Sequence, residues 1–255
     1  MKTKLENIIK EFVTTYPKNY NTKSRWGDPL ITYADADNKE FYTLKKVVSP
    51  THALPKDFLP EAKTVVTYFI PFNDSIIKSN INEKHCSEEW GIAYIETNKL
   101  IFDLNTFVMN ELEKIGYKSN VIPATHNFDA KKLISDWSHR HVAVIAGLGT
   151  FGLNNMIITE KGCCGRVGSF VTDIKITPTP KIEGENCLYK SMNICKKCVD
   201  RCVNDALKIG TFDRHKCYEM CLDNDKFHSQ LGLVDVCGKC LVNIPCSTKN
   251  PRNLL

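Results

Sequence analysis

The alternation of apolar and polar positions divides the chain into a long first part with a readable fold and a tail without one. KTKLENIIKEFVTTY carries Leu5, Ile8, Ile9, Phe12 and Val13 at helical spacing, which predicts an amphipathic helix ending near Tyr16-Pro17. PKNYNTKSRWGDPL then reads as exposed loop, because Pro, Asn and Gly break both periodicities, and DNKEFYTLKKVV as a helical or mixed segment. The run from Thr64 to Phe72, TVVTYFIPF, is continuously β-branched and aromatic and predicts a strand buried on both faces. From Trp90 to Lys118 one long helix is expected, with Ile92, Ile95, Leu100, Leu104, Phe107, Val108, Leu112 and Ile115 mostly on one side and Gly116 as its stop. NVIPATHNFD predicts a short strand and turn, Asp129 the cap of a helix through AKKLISDWSHRHVAVIAG, and GSFVTDIKIT a second strand. Strands separated by helices imply an α/β or α+β body over residues 1–180, followed by a distinct part over 181–255.

The tail is defined by cysteine rather than by periodicity. It holds nine of the twelve cysteines: Cys187, Cys195, Cys198, Cys202, Cys217, Cys221, Cys237, Cys240 and Cys246. A disulfide framework belongs to small secreted domains, whereas this chain opens on an amphipathic helix with no apolar signal core, so a cytoplasmic protein with reduced thiols is expected. Zinc would take four ligands, and the pairs Cys195/Cys198 and Cys237/Cys240 would supply them, but five cysteines would then have no purpose. Iron–sulfur clusters use nearly all of them. Cys195-x2-Cys198-x3-Cys202 is the second half of a two-cluster ferredoxin run, in which the last Cys crosses to the other cluster. Met192 stands where the first Cys of that run belongs, so Cys187 takes its place from a longer loop. Cys237-x2-Cys240-x5-Cys246 repeats the pattern with a longer spacer. The expected sets are Cys187, Cys195, Cys198 and Cys246 for one [4Fe–4S] cluster, and Cys202, Cys217, Cys237 and Cys240 for another. Cys221 is spare or exchanges with Cys217.

Composition changes this picture little. With 42% hydrophobic and 25% charged residues the chain is globular, and no apolar run approaches the 18 or so residues of a membrane span, so no membrane partner is expected. The net charge is +5. Most of the excess lies in the Cys-rich tail, where Lys and Arg offset anionic thiolate-ligated clusters; tRNA contact is the less expected use of that charge.

AGLGTFGL contains Gly147, Gly149 and Gly152 at dinucleotide-fingerprint spacing. A Rossmann turn must open a helix, and LNNMIITEKGCCG lacks helix formers, so a tight turn that lets backbone amides approach a ligand or another element is expected instead.

RHVAVIAGLGTFGLNN followed by GRVGSFVTDI and then a dicluster tail resembles epoxyqueuosine reductase and its relatives among corrinoid-dependent reductases, including reductive dehalogenases. Still more closely it resembles a set of shorter, epoxyqueuosine-reductase-like iron–sulfur proteins. The resemblance runs from about Tyr33 onward and is most specific at 139–173 and 195–240. It implies a nitroreductase-like body that holds cobalamin against a C-terminal dicluster ferredoxin-like domain, the nearer cluster delivering electrons to cobalt. The family's Asp-x-x-Pro-x-x-Glu-Arg becomes Leu133, Asp136, His139 and Arg140 here, so the proton-donating Asp is replaced and Asp136, one helical turn later, is the substitute. His139 and Arg140 are expected beside it as proton-handling groups. His139 and His141 point to different helix faces, which argues against a two-His metal site. Asn154 keeps the polar place after the glycine turn, while Leu153 stands where the family has Lys. With Gly147, Gly149 and Gly152 it is expected to meet the cofactor, and Arg166 and Ser169 suit a phosphate or propionate of a large anionic ligand. The implied partners are a ferredoxin or flavodoxin as electron donor and a small-molecule or nucleotide-derived substrate.

Overall fold

The computed structural model describes residues 1–254. Its centre is a four-stranded sheet in the order β1 (Leu30–Asp35), β2 (Thr64–Pro71), β6 (Gly165–Thr172), β3 (Ser119–Val121), antiparallel at every pairing. The expected mixed architecture is therefore of the α+β kind. All eight residues of β2 are buried, as its unbroken apolar run predicts. Val66, Tyr68 and Ile70 face α1 (Lys2–Asn19) and the C-terminal half of α5 (Glu88–Glu113). Val65 faces the opposite layer, where α2 (Glu40–Val47) and α6 (His139–Ile145) contribute Phe41, Leu44, Val142 and Ile145. Helices thus cover both faces of the sheet. Two short helices, α3 (Pro55–Phe58) and α4 (Asp74–Ser79), flank β2.

The ends of the elements follow local chemistry. The Ser87 hydroxyl accepts from the Trp90 amide, and Glu88 and Glu89 occupy the first turn, where their charge complements the helix dipole. The helix closes at Glu113, a few residues before the expected limit, because Gly116 takes φ +82 and the Tyr117 amide returns to the Leu112 carbonyl. The first helix runs on to Asn19 through Pro17, since a proline near the end of a helix breaks only the terminal ladder.

The expected helix over 130–146 forms only in its last turns. Asp129 Oδ1 accepts from the amides of Lys131 and Lys132, Asp129 pairs with Ile134 as an isolated bridge, and Leu133 adopts φ +53. The loop is held by Trp137, whose buried indole donates to Ser169 Oγ on β6 at 3.0 Å. Burial of a Trp outweighs the few tenths of a kcal/mol per residue that helix propensity offers polar lysines.

The glycine stretch is a hairpin, β4 (Thr150–Phe151) with β5 (Ile157–Ile158), and opens no helix, as expected. A Cβ on Gly149 would lie 2.5 Å from the Ile158 carbonyl oxygen.

The tail contains α7 (Leu188–Met192), α8 (Lys197–Asp200), the hairpin β7 (Leu207–Lys208) with β8 (Thr211–Phe212), and α9 (Arg214–Phe227). It shares one apolar core with the body: Phe72, Trp90, Ala93 and Ile158 pack with Cys198, Leu207, Val234, Leu241 and Val242. No helix is long and apolar enough to cross a membrane among the described residues.

Gly149→Ala is expected to lower stability by about 1–3 kcal/mol, since a backbone carbonyl blocks the added methyl, with urea unfolding as the measurement.

Candidate metal and cofactor site

The tail cysteines gather in two places. Cys187 caps α7, Cys195 and Cys198 flank the start of α8, and Cys246 returns from the far end of the tail. All four line one narrow recess, walled also by Leu153, Ile158, Leu188, Ile244 and Pro251. The Cys198 thiol is pushed up to about 12 by burial and then by the neighbouring Cys246, Cys187 and Cys195. The hydrogen bond with Cys163 is the main cause that raises Cys246.

The second group is Cys202, Cys217, Cys237 and Cys240. Burial pushes Cys237 up to about 11, with Cys217 and Cys202 adding to the rise. Cys240 is raised by burial and then by Cys237, Cys217, Cys202 and Cys198, the last of which belongs to the first group, so the two groups are neighbours. Cys217 and Cys221, one turn apart on α9, share a hydrogen bond that brings Cys217 down to about 7 and raises Cys221. Arg140 also lowers Cys217, which places its charge beside this group. Among the described residues no three His, Cys, Asp or Glu side chains are grouped for a single metal ion.

Of the body residues singled out from the sequence, His139, Arg140, Arg166 and Ser169 lie near one another, since His139 meets Ser169 and the Arg166 charge acts on both His139 and Arg140, while Asp136 turns away to Ser49 and Thr51. Ser169 is fully buried and its hydroxyl is bonded on two sides: it accepts from Trp137 Nε1 and lies 2.8 Å from His139 Nδ1. His139 Nε2 lies 3.2 Å from the Pro123 carbonyl, which must accept, so the network calls for the Nε2–H tautomer with Ser169 donating to Nδ1. Burial holds His139 down at about 4, and it is neutral at pH 7. Asp136 accepts from the hydroxyls of Thr51 at 2.6 Å and Ser49 at 3.2 Å. Arg140 donates to the Asn155 carbonyl at 2.8 Å. Arg166 donates to Asn98 Oδ1 and lies over the Tyr94 ring at 4.6 Å. Tyr94, pushed up to about 12 by burial, donates to Asp235 of the tail.

The glycine turn faces the tail. Gly152 and Asn154 line the first recess, and Asn154 Nδ2 donates to the Cys240 carbonyl at 3.2 Å. Gly147, at φ +74, backs onto the Pro180 carbonyl instead.

Sequence reasoning missed two features. His52 accepts the Ser138 amide on Nε2 and donates from Nδ1 to the Ala53 carbonyl, so it holds the start of α6 from a distant loop. The other is a cleft of about 710 Å³ between Lys131, Lys132 and Ile134 of the body and Asp205–Lys216 of the tail. Lys208, Arg214, His215 and Lys216 line it with Lys131 and Lys132, against two acids, Asp205 and Asp213, of which Asp213 is engaged in capping α9. Arg214 donates to the Lys132 carbonyl across the cleft. Its tail wall includes Ala206 and Lys208, which flank Leu207, whose amide donates to Cys202 Sγ, and Lys216, the chain neighbour of Cys217; no cysteine lines it. A cluster of lysines had signalled nothing, because only folding brings 131–132 to 208–216.

The class defined by this fold is an α+β body joined through one core to a cysteine-rich tail. No family profile matches the chain, and no curated protein matches it. Solved structures do. An epoxyqueuosine reductase from Streptococcus thermophilus is similar at TM-score 0.56 and 18% identity, over 95% of this chain and 68% of that one. An epoxyqueuosine reductase solved with an epoxyqueuosine-modified tRNA-Tyr stem loop is similar at 0.57 and 20%, over 94% and 65%. A catabolic reductive dehalogenase is similar at 0.59 and 16%, over 88% and 31%. The chain shares their fold and spans about two thirds of the length of the epoxyqueuosine reductases.

His139 and His141 both sit at about 4 through burial, against an ordinary value of 6.5. Their neutral forms therefore stabilise the fold fully above pH 6.5, and the contribution is lost as pH falls towards 4. Urea midpoints are expected to decline over that window, and His139→Gln is expected to flatten part of the decline.

Proposed function

We propose that the protein is an iron–sulfur oxidoreductase of the epoxyqueuosine-reductase type, in which two [4Fe–4S] clusters pass electrons to a corrinoid in the basic cleft and on to a small or nucleotide-derived substrate. The observation that carries this reading is the convergence of Cys187, Cys195, Cys198 and Cys246 on one recess. Those residues fit a cubane: the donors are thiols only, four in number, and sealed by apolar side chains. Cys202, Cys217, Cys237 and Cys240 would supply four thiols to the second, with Cys221 donating to Cys217 as a neighbour rather than a ligand.

The corrinoid would supply a cobalt centre that takes electrons and reduces the substrate. The cleft falls in the size range of cofactor pockets and borders the second thiol group, which supports it as the place. Lys131, Lys132, Lys208 and Lys216 would pair with phosphate, and Arg214 clamps the 131–134 loop over the cleft. Of the three residues expected to handle protons, Arg140 is the one beside the second thiol group. Asp136 orders the Ser49–Thr51 turn, and His139 orders Ser169. Gly149, Gly152 and Asn154 on this reading seat the tail. Gly147, Arg166 and Ser169 are engaged by protein groups, and this favours a second reading: an electron carrier for a partner's corrinoid or metal site. A ferredoxin or flavodoxin is the proposed electron donor and the cytoplasm the proposed location. The tRNA stem loop bound by one similar protein makes a nucleic-acid substrate a third test case, and the cationic cleft supports it.

Protein prepared without oxygen is expected to hold about eight iron and as many sulfides per chain, and Cys195→Ser about half. Zinc without sulfide would overturn the reading. Cobalamin added to the iron-loaded protein is expected to bind with a spectral shift, and Lys131→Glu with Lys132→Glu to weaken it about tenfold or more. Loaded protein that binds no cobalamin would leave the carrier reading in its place.

A further inference from the structure

Lys239 lies between two of the proposed ligands, Cys237 and Cys240, and is 1% exposed. Its ammonium donates to the carbonyls of Asn80 at 3.0 Å and Asn82 at 2.5 Å. Among the described residues it makes no ion pair with a carboxylate. Glu83, the acid closest in the chain to those carbonyls, is exposed, and its charge acts on Lys239 less than the thiols of Cys237 and Cys86 do. Arg201 lies on the same side, with Nε donating to the Lys239 carbonyl at 3.1 Å and Nη2 to the Ile81 carbonyl at 2.6 Å. A cation held by neutral carbonyls in a protein interior is costly unless an anion stands nearby. The thiol group at Cys202, Cys217, Cys237 and Cys240 is where that anion belongs.

The first recess has no such charge. Its walls beyond the four cysteines are Gly, Leu, Ile, Pro and one Asn. Lys196 and Lys197, next to Cys195 and Cys198, are exposed, so water and salt screen them. The thiol hydrogen bond at Cys246 runs from Cys246 to Cys163, so it brings no donor and no charge to the recess.

We propose that Lys239, seconded by Arg201, sets the potential of the second cluster above that of the first, so that an electron entering the pair comes to rest beside the basic cleft. The inference rests on the two-cluster reading. Reduction adds one negative charge to a cluster, and a fixed buried cation beside it stabilises the reduced state, which raises the potential. The step is a one-electron exchange. A low-potential one-electron carrier protein reduces the first cluster; that cluster is reoxidised as the same electron reduces the second. No bond forms or breaks and no proton moves.

The test is a redox titration of the loaded protein followed by electron paramagnetic resonance. Wild type is expected to show two reduction steps. Lys239→Met is expected to lower the upper one by a tenfold change in its one-electron equilibrium, about 59 mV, and to leave the lower one in place. Cys195→Ser, which disturbs the first cluster, should retain the upper step. Arg201→Gln is expected to shift the same step in the same direction by less, and it decides the matter if Lys239→Met fails to load. Unmoved potentials in loaded variants, or a shift confined to the lower step, would overturn the role of Lys239 while leaving the clusters standing. Wild-type protein without iron and sulfide would overturn both.

Discussion

One helix belongs to two cores, and the placement of the Cys237–Cys240 turn depends on that. The C-terminal half of α5 lays Leu100, Leu104, Val108 and Leu112 on the sheet. Its N-terminal half carries Trp90 and Ala93 into the tail. The Trp90 indole lies against Gly238, in left-handed backbone between Cys237 and Cys240, where a Cβ would collide with the ring. A Cβ on Gly91 would meet Val234 at 2.9 Å. Close packing of this kind has few alternative arrangements, so the Cys237–Cys240 turn takes its position from the body. The tail alone has little apolar surface with which to order its loops, and clusters bound to it would have to do that work instead.

A second link between body and tail is polar. Tyr94 reaches Asp235, Arg166 stacks on Tyr94, and Asn154 donates to the Cys240 carbonyl. These groups are partly or wholly buried, and each has a partner, which is the condition under which buried polarity specifies a single arrangement. Cys163 and Cys164 extend the link through backbone: their amides donate to the carbonyls of Cys246 and Ser247. The segment that leads into β6 thus anchors the loop that carries the last proposed ligand.

Charge follows the same division. Cations of the body and tail meet at the basic cleft and around the second thiol group, while the first recess is apolar. In a site that water reaches poorly such a difference counts for more than net charge, which at +5 says only that the whole molecule is mildly basic. Arg140 stands where the two regions join, with its guanidinium on the Asn155 carbonyl and its charge beside Cys217.

The sequence by itself determined the elements whose signal is local. The β2 run, the long α5 and the want of a helix after the glycine turn were legible, because neighbouring residues carry each pattern. The same reasoning extended a helix through 130–138, where the loop instead follows Trp137 to Ser169. Only tertiary structure decided which distant groups meet. Asp136 turns to Ser49 and Thr51, Ser169 and His139 engage each other, and Lys131 and Lys132 face Lys208 and Lys216 across a cleft. Lys239 shows the limit most clearly: a lysine in a Cys-Gly-Lys-Cys turn reads as a solvated charge, and its burial comes from carbonyls more than a hundred residues away. Short-range periodicity is written in the chain, but the dielectric around a charge is a property of everything packed against it.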